Sequence, residues 1–184
     1  MEKKYKLTEE TINISGRTLY RIEALKDFGN VKKGDKGGFV EDEENLSQSD
    51  DCWVCGNAMV CGNAIIHNNA VICGNAWVYG NAIVSGNAWV YRNAEVCGNA
   101  EVCGDSRICG DAKVESNGDY IVFKNWWSSG RYFTWTRSND MWKVGCFYGT
   151  GKELIEKAYK DSKISGIEYE RIVKYVNTIK GNEY

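Results

Sequence analysis

Few residues in this sequence have side chains suited to acid–base chemistry, because the chain contains a single histidine, His67. Imidazole changes charge near neutral pH, so His67 is the natural candidate for a general base. Tyr20 and Glu23 are two further candidate catalytic residues, and together with nearby lysines they suit metal-free cleavage of a phosphodiester. A site built from several histidines of one chain is excluded.

Basic and aromatic residues interleave near the N-terminus, where alternating side chains around Ser15-Gly16 predict a β-hairpin. Cations that bind phosphate, next to a ring that stacks on a base, are the residue types that RNA recognition uses. We therefore expect this hairpin to contact the backbone of a nucleic acid. The candidate nucleic-acid-binding residues are Lys4, Lys6, Arg17, Tyr20 and Arg21.

The middle of the chain is a six-residue repeat that runs from Val54 to Lys113 without an insertion. Its first position is always Val or Ile, its third is Gly except at Asn68 and Arg92, and its fourth is Asn or Asp. We expect the branched residue to point inward and Gly-Asn to form a corner, since both tolerate positive φ. Three sides of six residues close a coil, and successive coils stack at about 4.8 Å. The hexads read VCGNAM, VCGNAI, IHNNAV, ICGNAW, VYGNAI, VSGNAW, VYRNAE, VCGNAE, VCGDSR and ICGDAK.

Residues one coil apart are expected to lie directly above one another. The asparagines of the fourth position then form ladders whose amides hydrogen-bond along the axis, as in other stacked β structures. This role is structural. The predicted ladders are Asn57, Asn75, Asn93 and Asp111, then Asn63, Asn81 and Asn99, and finally Asn69 and Asn87.

The sixth position of each hexad points outward and changes character along the repeat. It is apolar in the first coils and charged in the last ones, where Glu95, Glu101, Arg107 and Lys113 occupy it. An apolar exterior of that size is expected to be covered, either by flanking segments or by another copy of the chain. The residues that a homo-oligomer would bury there are Trp53, Trp77 and Trp89.

Six of the eight cysteines fall at the second hexad position. Their spacing is therefore the period of the repeat, and no partner follows Cys52 and Cys55 at zinc-finger spacing. We expect neither a metal site nor a cofactor. Cys55 and Cys73 lie one coil apart, close enough for a disulfide. Eight cysteines without an apolar leader behind the first lysines indicate a reducing cytoplasm.

The last third of the chain is rich in aromatic residues and predicts a small α+β module. Alternation over residues 131–137 and 141–148 predicts antiparallel strands, and helical spacing follows in residues 152–159 and 168–179. We place the break between the two helices at Ser165-Gly166. The aromatic side chains are expected to form either a lid over the apolar outer faces of the coil or a ligand site.

The VCGNAM-type hexads resemble those of the hexapeptide-repeat family, whose fold is a left-handed parallel β-helix. The chain is thus expected to be mainly β: an N-terminal hairpin and cap over residues 1–47, a left-handed β-helix over residues 48–118 and an α+β module over residues 119–184. The family includes acyltransferases, which implies an alternative activity with His67 as the base. It also includes γ-class carbonic anhydrases, but their three metal-binding histidines are missing here.

The stretch ALKDFGNVKKGDKGGFVEDEENLS resembles the entry segment of bacterial and phage proteins described as hexapeptide-repeat transferases. There it caps the open end of the β-helix. A cap is also a physical requirement, because an open coil exposes the unpaired edge of a sheet.

In size, layout and basic hairpin the chain is similar to anti-CRISPR proteins of Firmicutes mobile elements that disable Cas9 through its guide RNA. The resemblance implies a phage counter-defence protein of the host cytoplasm, with Cas9 and its guide RNA as partner, that blocks this RNA or promotes its cleavage. A third reading is a non-catalytic binding module, such as a sponge for a nucleotide signal. A net charge of -2 excludes a uniformly basic coat, and no apolar run is long enough to span a membrane.

Overall fold

The computed structural model describes residues 2–180, which form a hairpin, a solenoid and a C-terminal module. The hairpin and the strand after it are β1 (Tyr5–Ile14), β2 (Arg17–Ala24) and β3 (Lys36–Val40). The solenoid strands are β4 (Trp53–Val54), β5 (Met59–Val60), β6 (Ile65–Ile66), β7 (Val71–Ile72), β8 (Trp77–Val78), β9 (Ile83–Val84), β10 (Trp89–Val90), β11 (Glu95–Val96), β12 (Glu101–Val102), β13 (Arg107–Ile108) and β14 (Lys113–Val114). The module contains β15 (Tyr120–Lys124), β16 (Tyr132–Thr136), β17 (Met141–Val144), β18 (Phe147–Gly149), α1 (Gly151–Asp161) and α2 (Lys163–Lys180).

Strands β4 to β14 wind into a parallel solenoid of about four turns, which confirms the repeat architecture. Each strand pairs with the one a full turn away, so that Val71 lies between Trp53 and Trp89. Three faces result. The first face contains β5, β8, β11 and β14, the second contains β6, β9 and β12, and the third contains β4, β7, β10 and β13.

The interior of the solenoid is filled by the valine, isoleucine and alanine side chains of the first and fifth hexad positions. The third position turns the corner in the left-handed backbone conformation. Asn68 and Arg92, which replace glycine there, adopt φ angles of 58° and 65°. The corner geometry is therefore imposed by the stacking of the turns, even where the residue type disfavours it.

The asparagine ladders form at the predicted positions, except that Asn57 makes no side-chain hydrogen bond to Asn75 and the ladder of that corner begins at Asn75. Asn63 Nδ2 donates to Asn81 Oδ1 at 2.9 Å, and Asn81 Nδ2 donates to Asn99 Oδ1 at 3.0 Å. These amide chains satisfy the polar side chains along the corners of the solenoid. The other two ladders run through Asn69, Asn87 and Asp105, and through Asn75, Asn93 and Asp111.

The N-terminal hairpin continues the first face and closes the open end of the solenoid. Strands β1, β2 and β3 pair in antiparallel order, and β3 then pairs in parallel with β5. Tyr5 and Ile22 are fully buried in the solenoid core. The rings of Tyr5 and Phe28 also pack edge-on against Trp53, which is 6% exposed. Trp53 is thus covered by its own chain and is not available to a second copy.

Cys55 and Cys73 lie in register on the third face and form a disulfide with a Cα–Cα distance of 4.8 Å. This confirms that stacking brings the pair together. The remaining cysteines are free thiols: Cys52, Cys61, Cys97, Cys103, Cys109 and Cys146.

The C-terminal module has a core of its own. Strands β15 to β18 form an antiparallel sheet, and the buried rings of Phe133, Trp135 and Trp142 pack against Leu154 and Val173 of the two helices. The predicted lid or ligand site stays a prediction for the other aromatic residues of the module, but these three rings form the core of the module itself. They face the helices, because a four-stranded sheet with two amphipathic helices needs its own apolar interior.

The break between the helices also differs from the prediction. Ser162 separates α1 from α2, and Gly166 is buried inside α2. The ring of Tyr159 occupies the space that a side chain at residue 166 would need. This glycine therefore serves the close packing of the two helices and does not end either of them.

The module caps the last turn of the solenoid through hydrogen bonds. The backbone amides of Arg107 and Lys113 donate to the hydroxyls of Thr134 and Ser138 at 3.0 and 2.7 Å. The hydroxyl of Tyr148 donates to the carbonyl oxygen of Cys109 at 3.3 Å. Across the described residues, neither helix is long and apolar enough to cross a bilayer.

Candidate nucleic-acid interface

Lys4, the first of the predicted nucleic-acid-binding residues, is buried and only 1% exposed. Its Nζ donates to the carbonyl oxygens of Ser49, Asp50 and Cys52 at 3.1, 3.3 and 3.0 Å. Burial lowers the pKa of this ammonium, and the neighbouring Cys52 partly opposes the shift. The side chain fastens the hairpin to the entry of the solenoid and is not presented to a phosphate.

The other cations of the hairpin are paired with carboxylates of the same chain. Arg21 also lies over the ring of Phe39, with its guanidinium carbon 4.2 Å from the ring centroid. A cation held by a carboxylate attracts a phosphate less, so the hairpin is a poor anion site. Its role in nucleic-acid binding stays a prediction. The pairs are Lys6 with Glu23 at 3.1 Å, Arg17 with Glu41 at 2.8 Å and Arg21 with Glu10 at 2.6 Å.

The structure places two of the three candidate catalytic residues on one strand and the third on another face. Tyr20 and Glu23 lie on β2, which extends the first face, and Glu23 is the carboxylate paired with Lys6. His67 follows β6 on the second face, where its backbone amide donates to the carbonyl oxygen of Val84. His67 therefore lies on a different face from the other two candidates, and the catalytic role of all three stays a prediction.

A different group of cations and aromatic rings meets where the third face of the solenoid joins the C-terminal module. We call it the cation–aromatic strip. Each member is at least partly exposed. Four of its five cations lie over aromatic rings of the same strip. Its members are Trp89, Tyr91, Arg92, Arg107, Lys124, Arg131, Tyr132, Lys143 and Tyr148.

The solenoid half of the strip is built around two rings of the third face. Trp89 and Tyr91 lie edge to face, with centroids 6.4 Å apart. The guanidinium carbon of Arg107 lies 5.2 Å from the ring centroid of Trp89, and Nζ of Lys143 lies 6.0 Å from that of Tyr91. Rings and cations therefore alternate over a continuous surface.

The module half of the strip comes from the sheet face that looks toward the solenoid. Alternate residues of β16 point to opposite sides, so Tyr132 and Thr134 face the solenoid while Phe133 faces the helices. Lys124 pairs with Tyr132 and lies 5.5 Å from its ring centroid. Both side chains are exposed.

Arg92 and Tyr148 join the two halves. The guanidinium carbon of Arg92 lies 5.5 Å from the ring centroid of Tyr148, whose hydroxyl donates a hydrogen bond to the backbone carbonyl of Cys109. Burial raises the pKa of both Tyr91 and Tyr148, so both rings are neutral at physiological pH. The strip therefore carries its positive charge without a compensating phenolate.

No cation of the strip forms an ion pair with any of residues 2–180. The acidic neighbours are Asp105 and Asp111, and each accepts a hydrogen bond from an asparagine ladder. The cations of the strip are thus unpaired and lie next to exposed rings. The predicted contact cations of the hairpin, in contrast, are each held by carboxylates or carbonyl oxygens of the same chain. The strip is the stronger candidate for an anionic ligand.

Comparison with known proteins agrees with the repeat. Residues 54–68 and 76–92 match the family model of the YdcK beta solenoid repeat. Both stretches lie inside the solenoid, and the match includes neither the hairpin nor the C-terminal module. No curated protein matches the chain. The family match therefore lies within the solenoid, and the strip is judged by its chemistry.

Sequence reasoning missed the strip because its members are scattered over 60 residues and two structural units. Two signals were present in the repeat. Arg92 stands where the corner favours glycine, and Arg107 stands at an outward position that is apolar in the earlier turns. A residue that opposes the local backbone preference is often retained for its side chain.

Among residues 2–180, no three His, Cys, Asp or Glu side chains cluster as metal ligands.

Proposed function

We propose that the protein binds single-stranded RNA through the cation–aromatic strip, without cleaving it. The observation that carries the proposal is the contrast in pairing: the strip has five cations without carboxylate partners, whereas those of the hairpin are bound. Single-stranded nucleic acids bind to surfaces that combine a cationic path for the backbone with rings for the bases. The strip supplies both.

Single-stranded rather than duplex RNA fits this surface because of the exposed rings. Trp89 and Tyr132 are 39% and 40% exposed. In an A-form duplex the base faces are stacked inside the helix and out of reach, whereas unpaired bases are free to stack on protein rings. The rings of the strip would have no partner on a duplex.

The proposal is tested first by the loss of a ring. We expect Trp89→Ala to weaken binding of a fluorescent single-stranded RNA about 5- to 160-fold, since a stacked base contributes about 1–3 kcal/mol. Trp126→Ala is the matched control, because Trp126 is 74% exposed and lies outside the strip. Equal affinities of the two variants in fluorescence anisotropy would refute the stacking role.

A second test uses charge. Neutralising five phosphates gives a slope of about −3.5 for log K against log salt concentration, at about −0.7 per contact. Lys143→Gln is expected to reduce that slope by about 0.7, and Arg17→Gln is expected to leave it unchanged. If Arg17→Gln produced the larger change, the hairpin and not the strip would be the interface.

A narrower form of the proposal concerns the identity of the RNA. We propose that the RNA of a host defence complex, such as Cas9 with its guide, is a ligand of the strip. We also propose that the solenoid is of the hexapeptide-repeat type. The support is the resemblance in layout together with the affinity for unpaired RNA that the strip predicts. A Cas9 cleavage assay beside a denaturing gel tests it: lost DNA cleavage with intact guide RNA is expected, and normal DNA cleavage contradicts it.

A further inference from the structure

A small cavity lies at one end of the cation–aromatic strip, between the last solenoid turn and the module. Its volume is about 440 Å³, and Asp105, Arg107, Arg131, Tyr132 and Gly145 line it. We infer that this cavity binds the phosphomonoester of a nucleotide, such as the 5′-phosphate at the end of an RNA strand. The inference rests on the proposed function, because it places the end of the bound strand.

Arginines from two different structural units line the cavity. Arg107 comes from β13 of the solenoid, and Arg131 immediately precedes β16 of the module. Neither forms an ion pair with any described residue. Arg107 and Arg131 place two positive charges against the single carboxylate of Asp105 in this wall, so the cavity is net positive and stabilises a bound anion.

A terminal phosphate suits this pair better than an internal phosphodiester. A phosphomonoester carries about 1.5 to 2 negative charges near neutral pH and three acceptor oxygens, whereas a diester carries one charge. Guanidinium groups bind such oxygens in a bidentate manner. Two arginines therefore discriminate in favour of the end of a strand.

The remaining wall residues fit the nucleoside next to that phosphate. The ring of Tyr132 is exposed at the mouth of the cavity and provides a surface for the base. Asp105 accepts one hydrogen bond from Asn87 at 3.2 Å, which leaves other lone pairs of its carboxylate as acceptors for a ribose hydroxyl. Gly145, with φ of 54°, has no side chain that would fill the space beside Arg131.

The test compares one single-stranded RNA sequence with three ends: 5′-phosphate, 5′-hydroxyl and 3′-phosphate. We expect the 5′-phosphorylated strand to bind at least tenfold more tightly to the full-length protein than the 5′-hydroxyl strand. Arg131→Gln is expected to abolish that preference, and to weaken binding of the 5′-hydroxyl strand only as far as the loss of one of the five strip cations does. Arg137→Gln, on an exposed residue after the same strand, is the matched control and should retain the preference.

A competition arm distinguishes the source of the phosphate. In this arm, adenosine monophosphate competes with the labelled strand. If it displaces the strand, and if it raises the melting temperature of the wild type but not of Arg131→Gln, the inference is supported with a free nucleotide as the ligand. Equal affinity for all three ends in the wild type overturns the inference and leaves the strip proposal intact. Nucleotide binding that depends on Arg131, without any binding of RNA, overturns the strip proposal and keeps the cavity.

Discussion

Arg92 combines an unfavourable backbone conformation with a favourable side-chain contact. Its backbone has a φ of 65° at a corner where most turns place glycine, and its side chain lies over Tyr148 in the strip. A left-handed conformation costs a non-glycine residue about 1–2 kcal/mol. A glycine at this position avoids that cost, but it loses more conformational entropy on folding, which cancels part of the gain in stability.

We therefore expect Arg92→Gly to raise stability by up to about 1 kcal/mol, or about 2–4 °C in melting temperature, while weakening RNA binding. Asn68→Gly is the matched control, because Asn68 occupies the equivalent corner outside the strip. It should leave RNA affinity unchanged. Differential scanning fluorimetry and anisotropy measure the two effects, and an Arg92→Gly protein with full affinity would remove this residue from the interface.

Tyr5 gives a second prediction at the residue scale, concerning pH. Its hydroxyl donates to the carbonyl oxygen of Leu46 at 2.7 Å, and burial, followed by the nearby Glu43, raises its pKa above the ordinary value of 10.0. Above about pH 10 the unfolded chain releases this proton and the folded chain keeps it, so stability falls as pH rises. The contribution of Tyr5 is fully present below that pH.

Tyr5→Phe is expected to cost about 1 kcal/mol at neutral pH, from the lost hydrogen bond. It should also make the decline of the unfolding free energy above pH 10 shallower, by at most about 1.4 kcal/mol per pH unit. Lys4 is present in both proteins, so its own titration cancels in the comparison. Urea denaturation at several alkaline pH values measures the slopes, and parallel slopes would contradict the account.

The hairpin is the element whose role differs most from its sequence pattern. Its alternation and its Ser15-Gly16 turn were sufficient to predict two strands, which the structure confirms. The same residues suggested a nucleic-acid site, because a sequence shows cations but not the carboxylates opposite them. Glu10, Glu23 and Glu41 become partners only after folding.

Lys4→Met tests the hairpin as a cap. The change leaves three carbonyl oxygens without the ammonium that donates to them, and a buried polar group left unsatisfied costs about 1–3 kcal/mol. Lys6→Gln is the control, since its exposed pair with Glu23 contributes at most about 1 kcal/mol. Both variants are expected to bind RNA with wild-type affinity where folded. If Lys4→Met lost RNA binding at full stability, the cap role would be wrong.

For the whole molecule, the solenoid was predictable because every turn repeats the same local rule. Period, inward positions, corner residues and the ladders through Asn63 and Asn87 all follow from stacking at one coil per turn. The C-terminal module was predictable as strands and helices, but not in how it packs. Its aromatic residues had two possible partners, and only tertiary contact decides between the solenoid and the helices.

The candidate site was not predictable for a related reason. Arg92, Arg107 and Lys143 are separated in sequence, and no local pattern brings them together. The solenoid places the first two on adjacent turns, and capping by the module adds the third. A site formed at a junction of two units depends on their packing, which neither segment specifies alone.

The most direct measurement is photo-crosslinking of a single-stranded RNA that carries 4-thiouridine, followed by mass spectrometry of the attached peptides. Crosslinks to Trp89, Tyr91, Tyr132 or Tyr148 are the predicted result, because these rings stack on the bases. Trp126 serves as an internal reference for unspecific attachment, because among residues 2–180 it is the most exposed of the large apolar side chains. Crosslinks centred on Tyr20 of the hairpin, or no crosslinks above the level of Trp126, would contradict the account.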